Sequence, residues 1–206
     1  ITGLRGMLVG GAQGPTVAVM SELDSLIVPG HPHSDPLTGA AHACGHHCQI
    51  GMMLGVAMGL KAAGVMESLS GRVALFAIPA EEFIEIEYRD DLRRQGRLEL
   101  LGGKAELIRL GALDDVDMAM MVHTNTGSRD TAFAIGDTNN GMVAKRIRFT
   151  GVAAHAGAAP HAGVNALNAA MIAISAIHAQ RETYRDEDTI RVHPIITRGG
   201  AAVSSV

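Results

Sequence analysis

Residues 72–80 read RVALFAIPA, an apolar and β-branched run that predicts a buried strand. Similar runs occur at residues 16–23, TVAVMSEL, and at residues 116–123, VDMAMMVH. Between the runs at residues 16–23 and 72–80 lies an apolar segment with regularly spaced glycines, residues 49–63, which predicts a buried helix. Residues 82–109 predict two short helices joined by a loop. Strands that alternate with helices indicate an α/β fold, in which a mixed, largely parallel sheet is flanked by helices.

The last third of the chain has a different pattern. Residues 142–150, MVAKRIRFT, alternate like a half-exposed strand, residues 165–180 have the pattern of an amphipathic helix, and residues 189–197 predict another strand. This β-α-β order is typical of one half of a small α+β domain. We therefore predict two domains, residues 1–139 and residues 140–206.

Composition narrows the class of partner. The chain of 206 residues is 47% hydrophobic and 18% charged, which is typical of a globular protein. A net charge of −4, the absence of a basic run and the absence of Trp argue against nucleic acid or a membrane surface as a partner. The two cysteines, Cys44 and Cys48, are spaced for one helical face rather than for a disulfide, so we expect a reducing, cytoplasmic location.

A metal-ligand pattern surrounds the predicted strand ends. The stretch HACGHH, residues 42–47, places a thiol, Cys44, two positions before an imidazole, His46. Glu81 and Glu82 follow the strand at residues 72–80 directly. Thiolate, imidazole and carboxylate groups together are how proteins hold divalent transition metals. Two adjacent glutamates can also take different roles: one carboxylate can bind the metal while the other accepts a proton from water.

Simpler interpretations exist for each of these groups. Cys44 could be a packed free thiol, because cysteine is among the most buried residue types. Glu81 and Glu82 could begin a helix, where acidic side chains favour the macrodipole. His123, at the end of an apolar strand, could be a core histidine. Its position level with Glu82 in the predicted sheet instead favours a role as a metal ligand. Ligands bind at the carboxyl ends of parallel strands, so the combined pattern favours a metal site.

Further polar residues are weaker candidates. Asp24 follows the strand at residues 16–23 and could orient a metal ligand, or it could be a turn residue. His42 and His47 flank the Cys44–His46 pair. His155 lies in the small-residue loop GVAAHAGAAPHAG, where it could stabilise an oxyanion or simply be exposed.

The order of these motifs resembles a known family. The segments VMSELDSL, HACGHH, IPAEE, VHTN and FTGVAAHAGAAPHAGVNALNAA are similar, in this order, to the amidohydrolase branch of the aminoacylase/carboxypeptidase metallopeptidases. That branch includes hippurate, auxin-conjugate and aminobenzoyl-glutamate hydrolases. The similarity covers nearly the whole chain, and the HACGH segment followed by the PAEE segment is its most specific part.

The resemblance implies a zinc-peptidase-like catalytic domain with an inserted ferredoxin-like lid, incomplete in this chain, through which a homodimer forms. It also implies two divalent ions per site, Zn²⁺ or Mn²⁺, with Co²⁺ as a further candidate. Its expected metal ligands are Cys44, His46, Glu82 and His123. Its expected catalytic residues are Glu81 as general base, Asp24 as support for a ligand, and His155 as stabiliser of the tetrahedral intermediate. The implied reaction is hydrolysis of an amide bond in an N-acyl amino acid or small peptide by metal-activated water.

Three departures from the family pattern are visible. The pattern has a further metal-binding histidine beyond the last residue of this chain, together with the second half of the lid. Position 47 carries His where Asp or Asn is usual. Residue 1 is not Met, and we expect the chain to be an internal piece of a longer protein.

Two other functional hypotheses remain at this point. The chain could be a catalytically incompetent metal-binding or dimerisation fragment of such an enzyme, although binding alone does not require the second glutamate. Alternatively, Cys44 could be the nucleophile of a Cys-His hydrolase, which would leave Glu81 and Glu82 without a role.

Overall fold

The computed structural model describes residues 2–62, 64–125, 132–136 and 138–206. The chain divides into two compact units, Ile1–Ala132 and Phe133–Val206. The boundary predicted from sequence, between residues 139 and 140, stays a prediction.

A four-stranded mixed sheet forms the centre of the first unit. The strands of this unit are β1 (Leu4–Val9), β2 (Ala12–Glu22), β3 (Leu26–Ile27), β4 (Ala40–Ala41), β5 (Ser70–Ile78) and β6 (Met118–Met121). The sheet order is β1-β5-β2-β6, with β2 parallel to both β5 and β6 and with β1 antiparallel to β5. The short strands β3 and β4 form a separate antiparallel pair. The predicted mixed, largely parallel sheet is confirmed.

Helices occupy both faces of this sheet. The helices of the first unit are α1 (His46–Ala62), α2 (Val65–Ser68), α3 (Ile86–Arg94) and α4 (Gly103–Arg109). Both α3 and α4 lie within residues 82–109, where two short helices were predicted. Alternate residues of a strand point to opposite faces. Met20 and Phe76 pack on one face with Leu107, at the end of α4. Ser21, on the opposite face, donates a hydrogen bond to the sulfur of Met53 in α1 at 3.1 Å.

Strand β6 differs from its prediction. We predicted a buried strand over residues 116–123, but β6 is shorter, and all four of its residues are exposed. Met120, for example, is 58% exposed. Within the described residues β6 is the edge of the sheet and pairs only with β2, so nothing covers its far side. The apolar composition of this run therefore does not produce burial in this chain.

Strand β1 has no counterpart in the sequence prediction. Its residues include Gly6 and are mostly exposed, so they lack the apolar run by which β2 and β5 were recognised. It forms because its backbone pairs with β5 over the register Leu4↔Ala77 to Val9↔Arg72.

The second unit contains α5 (Ala166–Gln180), which confirms the helix predicted at residues 165–180. The Asn165 side chain caps its start by accepting a hydrogen bond from the Asn168 N–H at 3.0 Å. Neither predicted strand, at residues 142–150 or 189–197, is formed. A strand needs a neighbour that satisfies its backbone groups, and among the described residues of this unit only isolated bridges occur, one of them between Val152 and Val164. The ferredoxin-like form of this unit stays a prediction.

No helix in the described part of the chain has the length and apolar character needed to cross a membrane.

Candidate metal centre

The candidate site lies at the carboxyl ends of the parallel strands. Strand β2 ends at Glu22, and Asp24 follows two residues later. Beyond the end of β5 lie Glu81 and Glu82, and beyond the end of β6 lies His123. Because β2 is parallel to both β5 and β6, these ends meet at one edge of the sheet. The turn between β4 and α1 brings Cys44 and His46 to the same edge.

His46 is the most deeply buried histidine of the site, with a side chain only 1% exposed. Its Nδ1 atom lies 2.9 Å from the backbone oxygen of Asp24. A carbonyl oxygen can only accept, so this hydrogen bond places the proton on Nδ1 and leaves the Nε2 lone pair of the neutral ring free. A free imidazole nitrogen held in this way is what a metal ion requires.

Carboxylates surround the Nε2 atom of His46. Glu22 Oε2 lies 2.9 Å away, and Glu81 Oε2 and Glu82 Oε1 each lie 3.9 Å away. The backbone N–H of Glu82 donates to Asp24 Oδ2 at 2.8 Å. Asp24 therefore touches both His46 and Glu82, which is the position expected of a residue that orients ligands.

Cys44 and His123 form the other side of the cluster. Cys44 Sγ lies 3.5 Å from His123 Nε2, and His123 Nδ1 lies 2.7 Å from the backbone oxygen of Thr124. By the same argument as for His46, Nδ1 of His123 carries the proton, so Nε2 faces the thiol with its lone pair. Gly45 allows the segment that carries Cys44 to lie close to the segment that carries His123. Its φ is +96°, and a Cβ at this position would lie 2.2 Å from the Thr124 hydroxyl.

The two adjacent glutamates differ in environment. Glu82 has a side chain that is 17% exposed, whereas that of Glu81 is 34% exposed. Burial, followed by the negative charge of Glu22, raises the pKa of Glu81 above its usual value, and Lys104 opposes this shift. A more exposed carboxylate, which water can reach, is suited to accept and return protons.

Burial raises the pKa of the Cys44 thiol to about 11, and Glu82 adds to the shift through a hydrogen bond and its charge. A nucleophilic cysteine needs a lowered pKa, so this environment disfavours the Cys-His hydrolase hypothesis. A bound cation would instead deprotonate the thiol, since a metal ion reverses the local electrostatic balance.

The donor set fits a metal. Ligand atoms of Cys44, His46 and His123 lie within 4.8 Å of one another, and so do those of Glu22, His46 and Glu81. Buried atoms without a hydrogen-bond partner among the described residues include Asp24 Oδ1, His46 Nε2 and Glu82 Oε1. Orphaned buried polar atoms are costly, and a cation at this position would satisfy His46 Nε2 and Glu82 Oε1.

Three residues at the centre were not singled out from sequence. Glu22 is 2% exposed and exchanges two hydrogen bonds with Gln49. Lys104, in the first turn of α4, forms an ion pair with Glu22 and lies 3.8 Å from Glu81 Oε1. The position of Glu22 at the carboxyl end of β2 is a signal that could have identified it. Gln49 and Lys104 carry no such signal.

The flanking histidines do not join either cluster. The rings of His42 and His47 lie 5.4 Å apart, and His47 Nε2 lies 3.4 Å from Cys48 Sγ. Neither is among the described groups that could hold a metal ion.

His155 belongs to the second unit. Its Nδ1 atom accepts hydrogen bonds from the backbone N–H groups of Gly157 at 3.1 Å and Ala158 at 3.0 Å. The proton of the neutral ring is therefore on Nε2, which makes that atom a hydrogen-bond donor.

Comparisons with known proteins agree with this architecture. Residues 138–206 match the M20 family model of the peptidase dimerisation domain. The chain is 34% identical over 170 residues to the Xaa-Arg dipeptidase of Mus musculus, covering 81% of this chain and 33% of the relative. It is 33% identical over 189 residues to the indole-3-acetyl-aspartic acid hydrolase of Enterobacter agglomerans, covering 86% of this chain and 39% of the relative. The chain is therefore similar to proteins of the M20 peptidase family.

The resemblance inferred from the motifs is thereby confirmed. The chain spans well under half the length of these curated relatives. A solved Staphylococcus aureus protein assigned as an aminohydrolase has the same fold, with a TM-score of 0.51 and 22% identity over 87% of this chain and 44% of that protein.

Proposed function

We propose that the intact protein is a metal-dependent amidohydrolase that cleaves the amide bond of N-acyl amino acids or small peptides. The observation that carries the proposal is the convergence of His46 Nε2 and Glu82 Oε1, both buried and unpartnered among the described residues, beside the more exposed Glu81. The names of the M20 relatives support the substrate class, since they include a dipeptidase and an indole-3-acetyl-aspartic acid hydrolase.

Two divalent ions, Zn²⁺ or Mn²⁺, with Co²⁺ as a further candidate, are the cofactors that we propose. Their ligands in this chain would be Cys44, His46, Glu82 and His123. When bound, such ions polarise a carbonyl group and lower the pKa of water. Asp24 would orient His46 through its backbone oxygen and Glu82 through its carboxylate.

Glu81 is the proposed general base. Its carboxylate would take a proton from the attacking water and deliver it to the leaving amine. Its exposure allows water to reach it, and its carboxylate lies beside the ligand cluster, 3.9 Å from His46 Nε2.

His155 is the proposed stabiliser of the tetrahedral intermediate. Two backbone N–H groups fix the ring so that Nε2 is the donor, which is the form that binds a developing oxyanion. The match of residues 138–206 to a dimerisation domain supports a homodimer formed through the second unit. The two free cysteines support a reducing, cytoplasmic location.

The decisive experiment compares Glu81→Gln with the parent in the intact protein. We expect kcat for an N-acyl amino acid to fall by about 10²- to 10⁴-fold, because the proton acceptor is lost, while the bound metal is retained. Glu67→Gln, an exposed substitution in α2, is the matched control and should leave kcat unchanged. Full activity of Glu81→Gln would remove Glu81 from this role.

The alternative, a catalytically incompetent metal-binding or dimerisation module, makes a different prediction. If this alternative is correct, the parent protein binds metal but hydrolyses no N-acyl amino acid or dipeptide in a substrate screen.

A further inference from the structure

Glu22 is held in one orientation by two polar neighbours. Its side chain is 2% exposed at the end of β2. Lys104 forms an ion pair with Oε1, and the Gln49 side chain donates to Oε2 at 3.1 Å. Gln49 in turn accepts from the Glu22 backbone N–H at 3.0 Å. These contacts direct Oε2 towards Nε2 of His46, at 2.9 Å.

The contact between Glu22 and His46 is not an ordinary hydrogen bond. The proton of the neutral His46 ring is on Nδ1, which donates to the Asp24 backbone oxygen. Nε2 makes no hydrogen bond within the described residues, although Glu22 Oε2 lies 2.9 Å away. Two lone pairs at this distance repel each other unless a positive charge lies between or beside them. The geometry therefore calls for either a second proton on His46 or a cation shared by both atoms.

The distances fit a shared cation. Two atoms bound to one ion at about 2.1 Å cannot be more than about 4.2 Å apart, and they are about 3 Å apart when they subtend a right angle. The contact of 2.9 Å to Glu22 and the contacts of 3.9 Å to Glu81 and Glu82 all lie within this limit. Lys104, beside both Glu22 and Glu81, supplies positive charge to a site that is rich in carboxylates.

We propose that Glu22 is a further ligand of the metal centre, that Gln49 aims its oxygen, and that Lys104 balances its charge. This inference rests on the proposed function, because it adds a ligand to the same centre. A further buried carboxylate oxygen makes the donor set harder than Cys44, His46, Glu82 and His123 alone would make it. Glu22 therefore raises the affinity for Mn²⁺ relative to that for Zn²⁺.

The test measures metal binding by the intact protein rather than its activity. Metal content per chain is determined by plasma mass spectrometry after dialysis, and the Kd values for Mn²⁺ and Zn²⁺ are determined by competition with a chelating dye. For Glu22→Gln we expect the Kd for Mn²⁺ to rise by at least about tenfold, and by more than the Kd for Zn²⁺. Circular dichroism and thermal unfolding establish that the variant is folded.

Two controls separate ligation from general disruption of a buried ion pair. Glu106→Gln removes another buried carboxylate, which pairs with Arg109 and belongs to neither metal-ligand group, so metal binding by this variant should match that of the parent. Arg109→Met removes the charge partner of Glu106 and likewise touches neither metal-ligand group, so it should retain the parental metal content. If Glu22→Gln does not fold, Glu22→Asp decides the question, because it keeps the charge and withdraws the oxygen, with the same expected rise in Kd.

Each outcome has a defined meaning. Unchanged Kd values in folded Glu22→Gln or Glu22→Asp, with metal in the parent, would overturn the proposal and identify the short contact as an imidazolium–carboxylate pair. The proposed function would then stand. A parent protein that binds neither ion would overturn both.

Discussion

At the scale of single residues, the Glu106–Arg109 pair shows how this fold holds a buried charge. Glu106 is 6% exposed, and the Arg109 guanidinium donates to its two oxygens at 2.6 and 2.9 Å. The Leu100 backbone N–H donates to it as well, at 2.9 Å. These hydrogen bonds, that of Arg109 foremost, lower the pKa of Glu106 from 4.5 to about 2.

This lowered pKa predicts a pH-dependent contribution to stability. A carboxyl group whose pKa is lower in the folded than in the unfolded state stabilises the fold above its unfolded pKa. The contribution is lost as the pH falls from 4.5 through about 2. In the intact protein we expect Glu106→Gln to reduce the free energy of unfolding by about 1–3 kcal/mol at neutral pH, and by progressively less in acid. Urea unfolding over a pH series measures this, and a pH-independent difference would contradict it.

At this scale the sequence predicted several of the residues that the structure brings together in the candidate cluster. Cys44, His46, Glu81 and Glu82 were identified because metal-binding residue types follow strand ends or cluster in one short segment. Glu22 was missed because it was included in the predicted strand rather than placed beyond its end. Gln49 and Lys104 reach Glu22 from positions 27 and 82 residues away, and only the packing of α1 and α4 onto the sheet brings them together.

At the scale of elements, the loop after β5 is held in a strained form. Ala80 has a φ of +59°, a left-handed conformation that costs a residue other than glycine about 1–3 kcal/mol. Its carbonyl oxygen accepts hydrogen bonds from the Gly103 N–H at 2.9 Å and from Arg89 Nη1 at 3.3 Å. Arg89 also donates to the Leu101 oxygen at 3.1 Å. Helices α3 and α4 thus fix the backbone that presents Glu81.

We therefore expect Arg89→Met to affect both stability and turnover in the intact protein. The substitution keeps most of the buried aliphatic stem but leaves two carbonyl oxygens without this donor, which should cost about 2 kcal/mol of unfolding free energy. Because the loop loses its anchor, kcat should fall more than KM changes, and Arg89→Lys should restore part of the loss.

A matched control lies on the same helix. Arg94 is 63% exposed and pairs with Asp91 on the surface, so Arg94→Met should change stability by less than about 0.5 kcal/mol. Thermal unfolding and steady-state kinetics measure both variants. Equal behaviour of Arg89→Met and Arg94→Met would show that Arg89 does not position the loop.

Element prediction succeeded where local pattern and tertiary pairing agree. Strands β2 and β5 are apolar runs that pair with each other in the sheet. Residues 142–150 have an equally clear alternation, yet they form no strand because the described part of their unit supplies no row of hydrogen-bonding partners. Alternation of apolar and polar residues identifies the face that a strand would bury. Whether the strand forms depends on a neighbouring strand that pairs with its backbone.

At the scale of the whole molecule, the proposed function assigns one residue of each unit to the reaction. Glu81 lies in the first unit and His155 in the second. If the second unit forms the proposed homodimer, His155 can serve either its own protomer or the partner.

Mixing two inactive variants distinguishes these arrangements. In a heterodimer of His155→Ala and Glu81→Gln protomers, one of the two sites regains both groups if His155 acts across the interface. Equal mixing with exchange of protomers gives heterodimers in half of the population, so activity should recover to about a quarter of the parental value. The homodimers of each variant are the controls, and light scattering establishes the dimeric state. No recovery in a mixture shown to contain heterodimers would place His155 in the active site of its own protomer.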